Sequence, residues 1–170
     1  STEGKITEII AKSNMPGGDI KSMIRQYGLT PYFSEEVKEI QLKGIELKDM
    51  EKRLDLRDKT VFTIDGADSK DFDDAVSIEK NSEGNFVLGV HIADVAGYVK
   101  EGSALDEEAF FRGNSIYLID TVIPMLPEEL SNDICSLNPH EDRLTVSCIM
   151  EINHSGNVIN HNICESIIRS

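Results

Sequence analysis

The chain has 170 residues, 39% hydrophobic and 28% charged, with a formal net charge of −14. That is enough for one domain with a sizeable core, and no stretch approaches the roughly 20 apolar residues of a membrane helix. The excess of acid argues against a nucleic-acid binder, because phosphate affinity comes from Lys and Arg, unless cations neutralise the acids or basic domains lie outside this chain.

Ser1-Thr2-Glu3-Gly4-Lys5 lacks an initiator Met and has no basic lead into an apolar run, so it reads as a trimmed segment and not as a secretory signal. Ile6, Ile9 and Ile10 fall on one helical face, and Gly17-Gly18 breaks that pattern. Asp19 then stands as an N-cap for Ile20, Met23, Ile24 and Tyr27 at helical spacing, with Gly28 as the stop. Pro31 and Ser34 mark a further start, backed by Val37, Ile40 and Ile45. Residues 1–50 therefore read as a helical lead that packs on something else, with no chemical motif of its own.

From Val61 the period changes. Val61 to Ile64 is a short apolar strand ending at Asp65, and Ala75 to Ile78 is another. Phe86, Leu88, Val90 and Ile92 alternate, and Asn81 to Asn85 is a hairpin turn by composition. Ser103-Ala104-Leu105-Asp106 resembles a capping box for a helix closed by Gly113. Ser115 to Ile119 returns to strand, and Pro124 and Pro127 bracket a rigid connection. Leu144 to Ile152 alternates, His154 to Asn157 turns the chain, and Ile159 to Ile167 forms a last strand. An open strand so near the final residue leads us to expect that the native polypeptide continues.

Cys135, Cys148 and Cys164 are odd in number and form no C-x-x-C, so they read as reduced core thiols of a cytosolic protein. His91, His140, His154 and His161 are scattered and form no H-E-x-x-H; each reads as an ordinary surface or core residue.

Residues 65–74 read Asp-Gly-Ala-Asp-Ser-Lys-Asp-Phe-Asp-Asp. Carboxylates this dense resist ionising beside one another. Water offsets the repulsion if the segment is a solvated loop; divalent cations do so if it is a site. Apolar strands clamp both ends, and Gly66 permits unusual backbone geometry, which favours the site. Oxygen donors without His or Cys select Mg²⁺, Mn²⁺ or Ca²⁺ over zinc. No window fits the EF-hand loop, so Mg²⁺ is the better match, with Mn²⁺ as its substitute. Two such ions about 4 Å apart can activate water and stabilise the leaving oxygen of a phosphodiester. Asp71-Phe72-Asp73 superficially suggests an aspartyl-nucleophile phosphatase, but it follows Ser69-Lys70 instead of an apolar strand.

Thr63 to Ala75 resembles the signature of the ribonuclease II/ribonuclease R exoribonucleases, whose catalytic unit is the RNB domain. Arg53-Leu54-Asp55-Leu56-Arg57-Asp58, His91-Ile92-Ala93-Asp94-Val95, Ile123-Pro124-Met125-Leu126-Pro127, Leu130-Ser131-Asn132, Cys135-Ser136-Leu137-Asn138-Pro139 and Asp142-Arg143 extend the resemblance in order over residues 51–170. The wording of the signature is closer to the ribonuclease R branch. The resemblance implies an α+β fold: helices over 1–50, then over 51–170 the first half of a mixed-sheet nuclease domain with surrounding helices. It implies a 3′→5′ hydrolytic exoribonuclease that acts on single-stranded RNA and releases nucleoside 5′-monophosphates. The family's aspartates fall on Asp65, Asp71, Asp73 and Asp74, as catalytic and metal-holding residues. Asp68 lies outside that quartet, as a supporting or structural residue. Tyr117 matches an aromatic that stacks on an RNA base, where a half-buried strand Tyr is the bland reading. Arg143 is a phosphate contact or, equally, an ion-paired structural Arg. The later half of the family's catalytic domain and its cold-shock and S1 domains are not in this chain, so the isolated chain is expected to be inactive. The remaining expectations are a cytoplasmic location, no membrane, and a monomeric full-length protein. A different metal-dependent phosphohydrolase and a non-catalytic RNA-binding fragment are the alternatives.

Overall fold

The computed structural model describes residues 3–12, 15–40, 50–67, 69 and 71–170. Its frame is a six-stranded sheet in the order β1-β8-β7-β4-β3-β2. The strands are β1 (Leu54–Asp55), β2 (Val61–Phe62), β3 (Asp74–Lys80), β4 (Phe86–Ala93), β7 (Asp142–Ile152) and β8 (Val158–Arg169). Among the described residues only the β1–β8 pair is parallel. A separate hairpin joins β5 (Ile116–Tyr117) to β6 (Val122–Ile123). The α+β expectation holds.

The turns form as their composition demands. Asn81 Oδ1 accepts the N–H groups of Glu83 and Asn85, closing the β3–β4 hairpin. Asn153 Oδ1 does the same for Ser155 and Asn157 between β7 and β8. These local bonds set the register without distant contacts.

The lead is less helical than its periodicity suggests. Residues 3–12 form no helix, and Ile6 and Ile9 are exposed; ten residues without a packing surface are too few to hold helix alone. Helix α1 (Gly18–Gln26) is capped by Gly17 in the left-handed region, with Asp19 inside the first turn instead of at the cap. There the carboxylate still complements the helix dipole. Helix α2 (Glu35–Lys38) does start on Ser34, whose Oγ accepts the Val37 N–H at 3.3 Å. Ile45 lies outside the described residues. Asp94 caps α3 (Val95–Tyr98) and Ser103 caps α4 (Ala104–Arg112), which Gly113 ends. Residues Glu129–Ile134 form a π-helical turn.

The lead packs on α4. Glu108 accepts the N–H and Oγ of Ser34 at 3.1 and 2.7 Å. Arg112 lies over the Phe33 ring, 4.0 Å from its centroid, and donates to the carbonyls of Thr30 and Tyr32.

The core sits on one face of the sheet. Ala75 and Ala93 meet Val61, Leu56, Leu105, Leu130, Leu137 and Val37 there. Leu130 and Leu137 are fully buried, and each such side chain contributes about 1.5–3 kcal/mol by leaving water. The apolar alternation of β4 points the other way. Gly89, His91 and Ala93 are the buried set, whereas Phe86 and Ile92 lie on the open face with Ile78, Val146 and Ile163. Small and polar residues are tolerated inside because a hydrogen-bonded chain satisfies them. His91 bridges Ser77 Oγ at 3.0 Å and Ser147 Oγ at 2.6 Å. Ser147 Oγ continues to Ser166 Oγ at 2.5 Å, and that to Thr145 Oγ1 at 2.7 Å. Burial holds the His91 pKa below the usual imidazole range, which keeps the ring neutral within this chain.

Candidate functional site

The acidic segment crosses from β2 to β3 at one end of the sheet. β2 stops at Phe62, so Asp65 lies three residues past a strand and not at its end. Gly66 does not use left-handed geometry; a Cβ there would meet only Ser69 Oγ, at 3.7 Å. The Ser69 N–H donates to the Gly66 carbonyl at 3.0 Å, which folds the segment back on itself. Asp68 and Lys70 lie outside the described residues.

The second half of the segment is fixed to the body of the fold. Asp74 is the first residue of β3 and pairs with Ile92. The Asp73 carbonyl accepts the Ala93 N–H at 2.9 Å. Phe72 turns toward the core, and the Leu137 N–H donates to its carbonyl at 2.9 Å. Asp65, Asp71, Asp73 and Asp74 are all exposed. Partial burial and then the charges of Asp71, Asp74 and Asp65 push the Asp73 pKa above the usual carboxylate range. The part of that shift due to like charges is what a carboxylate cluster produces.

The donor chemistry of this cluster suits a hard cation, and a cation would relieve its repulsion. Among the described residues, however, no three His, Cys, Asp or Glu side chains are grouped closely enough to hold a metal ion together. The fit therefore lies in donor type and charge. It does not lie in an assembled cradle.

Tyr117 stands on β5 and is 73% exposed, so its ring faces are open and it is not the half-buried strand residue of the bland reading. Arg143 is turned inward, with only 12% of its side chain exposed. Its Nε donates to the Ser136 carbonyl at 2.7 Å, and Nη1 and Nη2 donate to the carbonyls of Asp142 and Asp133. Nη2 also meets the Glu141 carboxylate. These contacts inside the chain are those of the ion-paired reading of Arg143. A cleft of about 710 Å³ near the lead is lined by Tyr27, Tyr32, Phe111 and Ile116, and by none of the aspartates.

Two contacts that spacing could not reveal hold the site's surroundings. Arg53 Nη2 meets Asp94 Oδ2 at 2.5 Å with both side chains under a tenth exposed, tying the segment before β1 to the end of β4. Ser136 Oγ accepts the Phe72 N–H at 3.0 Å. The nearest signal in the sequence was that these residues belong to ordered motifs of the resemblance.

Residues 53–170 match the RNB domain family. Ribonuclease R of Thermotoga maritima is 52% identical over 173 residues, covering 99% of this chain and 24% of that protein. Among solved structures, Mycoplasma genitalium RNase R in complex with ribose-methylated single-stranded RNA superposes with a TM-score of 0.84 at 32% identity, over 96% of this chain and 26% of that one. Yeast Ssd1, a pseudonuclease, superposes with a TM-score of 0.80 over 92% of this chain and 20% of that one; at 21% identity the likeness speaks for the fold alone. The chain thus spans about a quarter of the length of the ribonuclease R proteins it resembles.

Proposed function

The chain belongs to the RNB domain family, and from that premise we propose that the polypeptide carrying it is a Mg²⁺-dependent 3′→5′ exoribonuclease. It hydrolyses single-stranded RNA and releases nucleoside 5′-monophosphates, in the cytoplasm. The observation that carries this reading is the negative charge that Asp71, Asp74 and Asp65 bring to bear on Asp73, on a segment anchored at its β3 end. These are the positions of the family's four aspartates.

In this reading Asp65, Asp71 and Asp74 would hold Mg²⁺, with Mn²⁺ as its substitute, and Asp73 would position metal or the attacking water. When bound, the cation supplies charge neutralisation and Lewis-acid polarisation at the scissile phosphodiester. The chain's own contribution is placement. The β3–β4 ladder fixes Asp73 and Asp74, and Tyr117 offers an open ring on which a base stacks without regard to sequence. Water adds across the phosphodiester, leaving a nucleoside 5′-monophosphate and an RNA shortened by one residue with a free 3′-hydroxyl. Only one wall of such a site lies in this chain, so the isolated chain is expected to bind and turn over RNA weakly or not at all.

Among the described residues the carboxylates form no assembled cradle, and this favours a second reading, a non-catalytic RNA-binding protein. The complete polypeptide, given 3′-tailed RNA with and without Mg²⁺, separates the two. Release of mononucleotides from the 3′ end only with Mg²⁺ supports the exoribonuclease. Salt-dependent binding of uncut RNA supports the second reading. Hydrolysis of small phosphoesters but not RNA makes it a different phosphohydrolase.

A further inference from the structure

Asp73 and Asp74 are fixed by β4, but Asp71 is not part of the sheet. Its placement depends on the peptide plane it shares with Phe72, because that plane fixes where the Asp71 backbone points. The N–H of that plane donates to Ser136 Oγ at 3.0 Å. Ser136 is fully buried, and its hydroxyl donates in turn to Asn138 Oδ1 at 3.3 Å. Its carbonyl is held by Arg143 Nε at 2.7 Å. The next residue, Leu137, donates to the Phe72 carbonyl at 2.9 Å. Both polar ends of Phe72 are thus gripped by one dipeptide, which Arg143 locks to β7.

We infer that Ser136 is a positioning residue for Asp71: its hydroxyl orients the Asp71–Phe72 peptide so that the Asp71 carboxylate joins the cation-binding set. The inference rests on the functional reading above. A partner that orients a ligand commonly matters 10–100-fold in metal affinity, although it touches neither metal nor substrate. Ser136 also explains what Arg143 does, since the guanidinium stiffens the carbonyl of the residue that grips the acidic segment.

The test uses the complete polypeptide with Ser136→Ala and with Ser136→Cys, which keeps the volume but offers only a weak acceptor. Four quantities are read: Mg²⁺ affinity by calorimetry, RNA affinity in EDTA, the kcat/KM split at saturating Mg²⁺, and hydrogen exchange of the Phe72 amide. The expected result is Mg²⁺ affinity weakened about tenfold or more and RNA affinity in EDTA within about twofold. Excess Mg²⁺ is expected to restore kcat in part, and the Phe72 amide to exchange faster with solvent. Should Ser136→Ala not fold, Ser136→Cys reads the same quantities. Folded variants with unchanged Mg²⁺ affinity overturn the inference while leaving the functional reading intact. Equal losses of RNA and Mg²⁺ binding overturn it too, because they mark a merely structural role. A wild-type protein that binds no Mg²⁺ overturns the functional reading and this inference with it.

Discussion

Replacing Asp94 perturbs the fold at the point where two distant motifs meet. One carboxylate oxygen of Asp94 accepts the Gly97 N–H at 3.1 Å and caps α3; the other pairs with Arg53 at 2.5 Å. Losing a helix cap costs about 1 kcal/mol. Removing one partner of a buried ion pair costs about 3–5 kcal/mol, and here both side chains are under a tenth exposed. Asp94→Ala loses both, so about 4–6 kcal/mol is the upper bound, because the two effects share one side chain. Asp94→Asn keeps an oxygen for the cap and should lose mainly the ion-pair part. For a chain of this length each kcal/mol moves Tm by about 2–4 °C, so Asp94→Ala should lower it by roughly 10 °C or more. Thermal and urea unfolding followed by circular dichroism give both numbers. Arg53→Met/Asp94→Asn should recover part of the loss, since it also removes the buried cation. If Asp94→Ala and Asp94→Asn both stay within about 1 kcal/mol of wild type, the reasoning about this pair is wrong.

Three further outcomes are expected. Gly89→Ala should destabilise by about 1–3 kcal/mol, because a Cβ there would lie 2.4 Å from Ser77 Oγ and 2.7 Å from His91 Nε2; urea unfolding checks it. Burial, reinforced by Asp94 and Asp73 and only partly offset by Arg143, pushes the Cys135 thiol up to about 12, so iodoacetamide at pH 8 should spare it in the native chain. The half-exposed Cys148 and Cys164 should react first, with all three labelled in denaturant. For Asp142, burial raises the pKa, but hydrogen bonds from Arg57 and Arg169 outweigh it and hold the carboxyl below the usual range. Its contribution to stability is therefore present above the unfolded carboxylate pKa and lost as pH falls through the depressed folded value. Asp142→Asn should flatten the acid side of the stability curve below about pH 4.

Local chemistry was the legible part of this fold. The hairpins at Asn81 and Asn153 and the caps at Ser34 and Ser103 form as read, because each is stabilised by groups a few residues away. The strand periods were legible as well, but not which face would be buried. Phe86 and Ile92 lie open because Gly89 and His91 are taken inside by partners on β3 and β7. No alternation rule anticipates that. The early helix failed for a similar reason: Ile6 and Ile9 have the spacing but are left exposed. At the candidate site the acids were legible as a charge anomaly. The grip of Ser136 on Phe72, across 64 positions, was not. The bonds from Arg143 to the carbonyls of Ser136 and Asp133 were not legible either, since sequence does not reveal which carbonyls a guanidinium meets.

Asp73 is the residue that the other acids perturb and that β4 holds by its carbonyl. Asp73→Asn in the complete polypeptide removes one charge with little change of shape. Single-turnover cleavage and RNA affinity, measured on the same preparation in Mg²⁺, test the claim most directly. Mononucleotide release is expected to fall by at least about a hundredfold while RNA affinity stays within about threefold. Turnover that survives the substitution would contradict it.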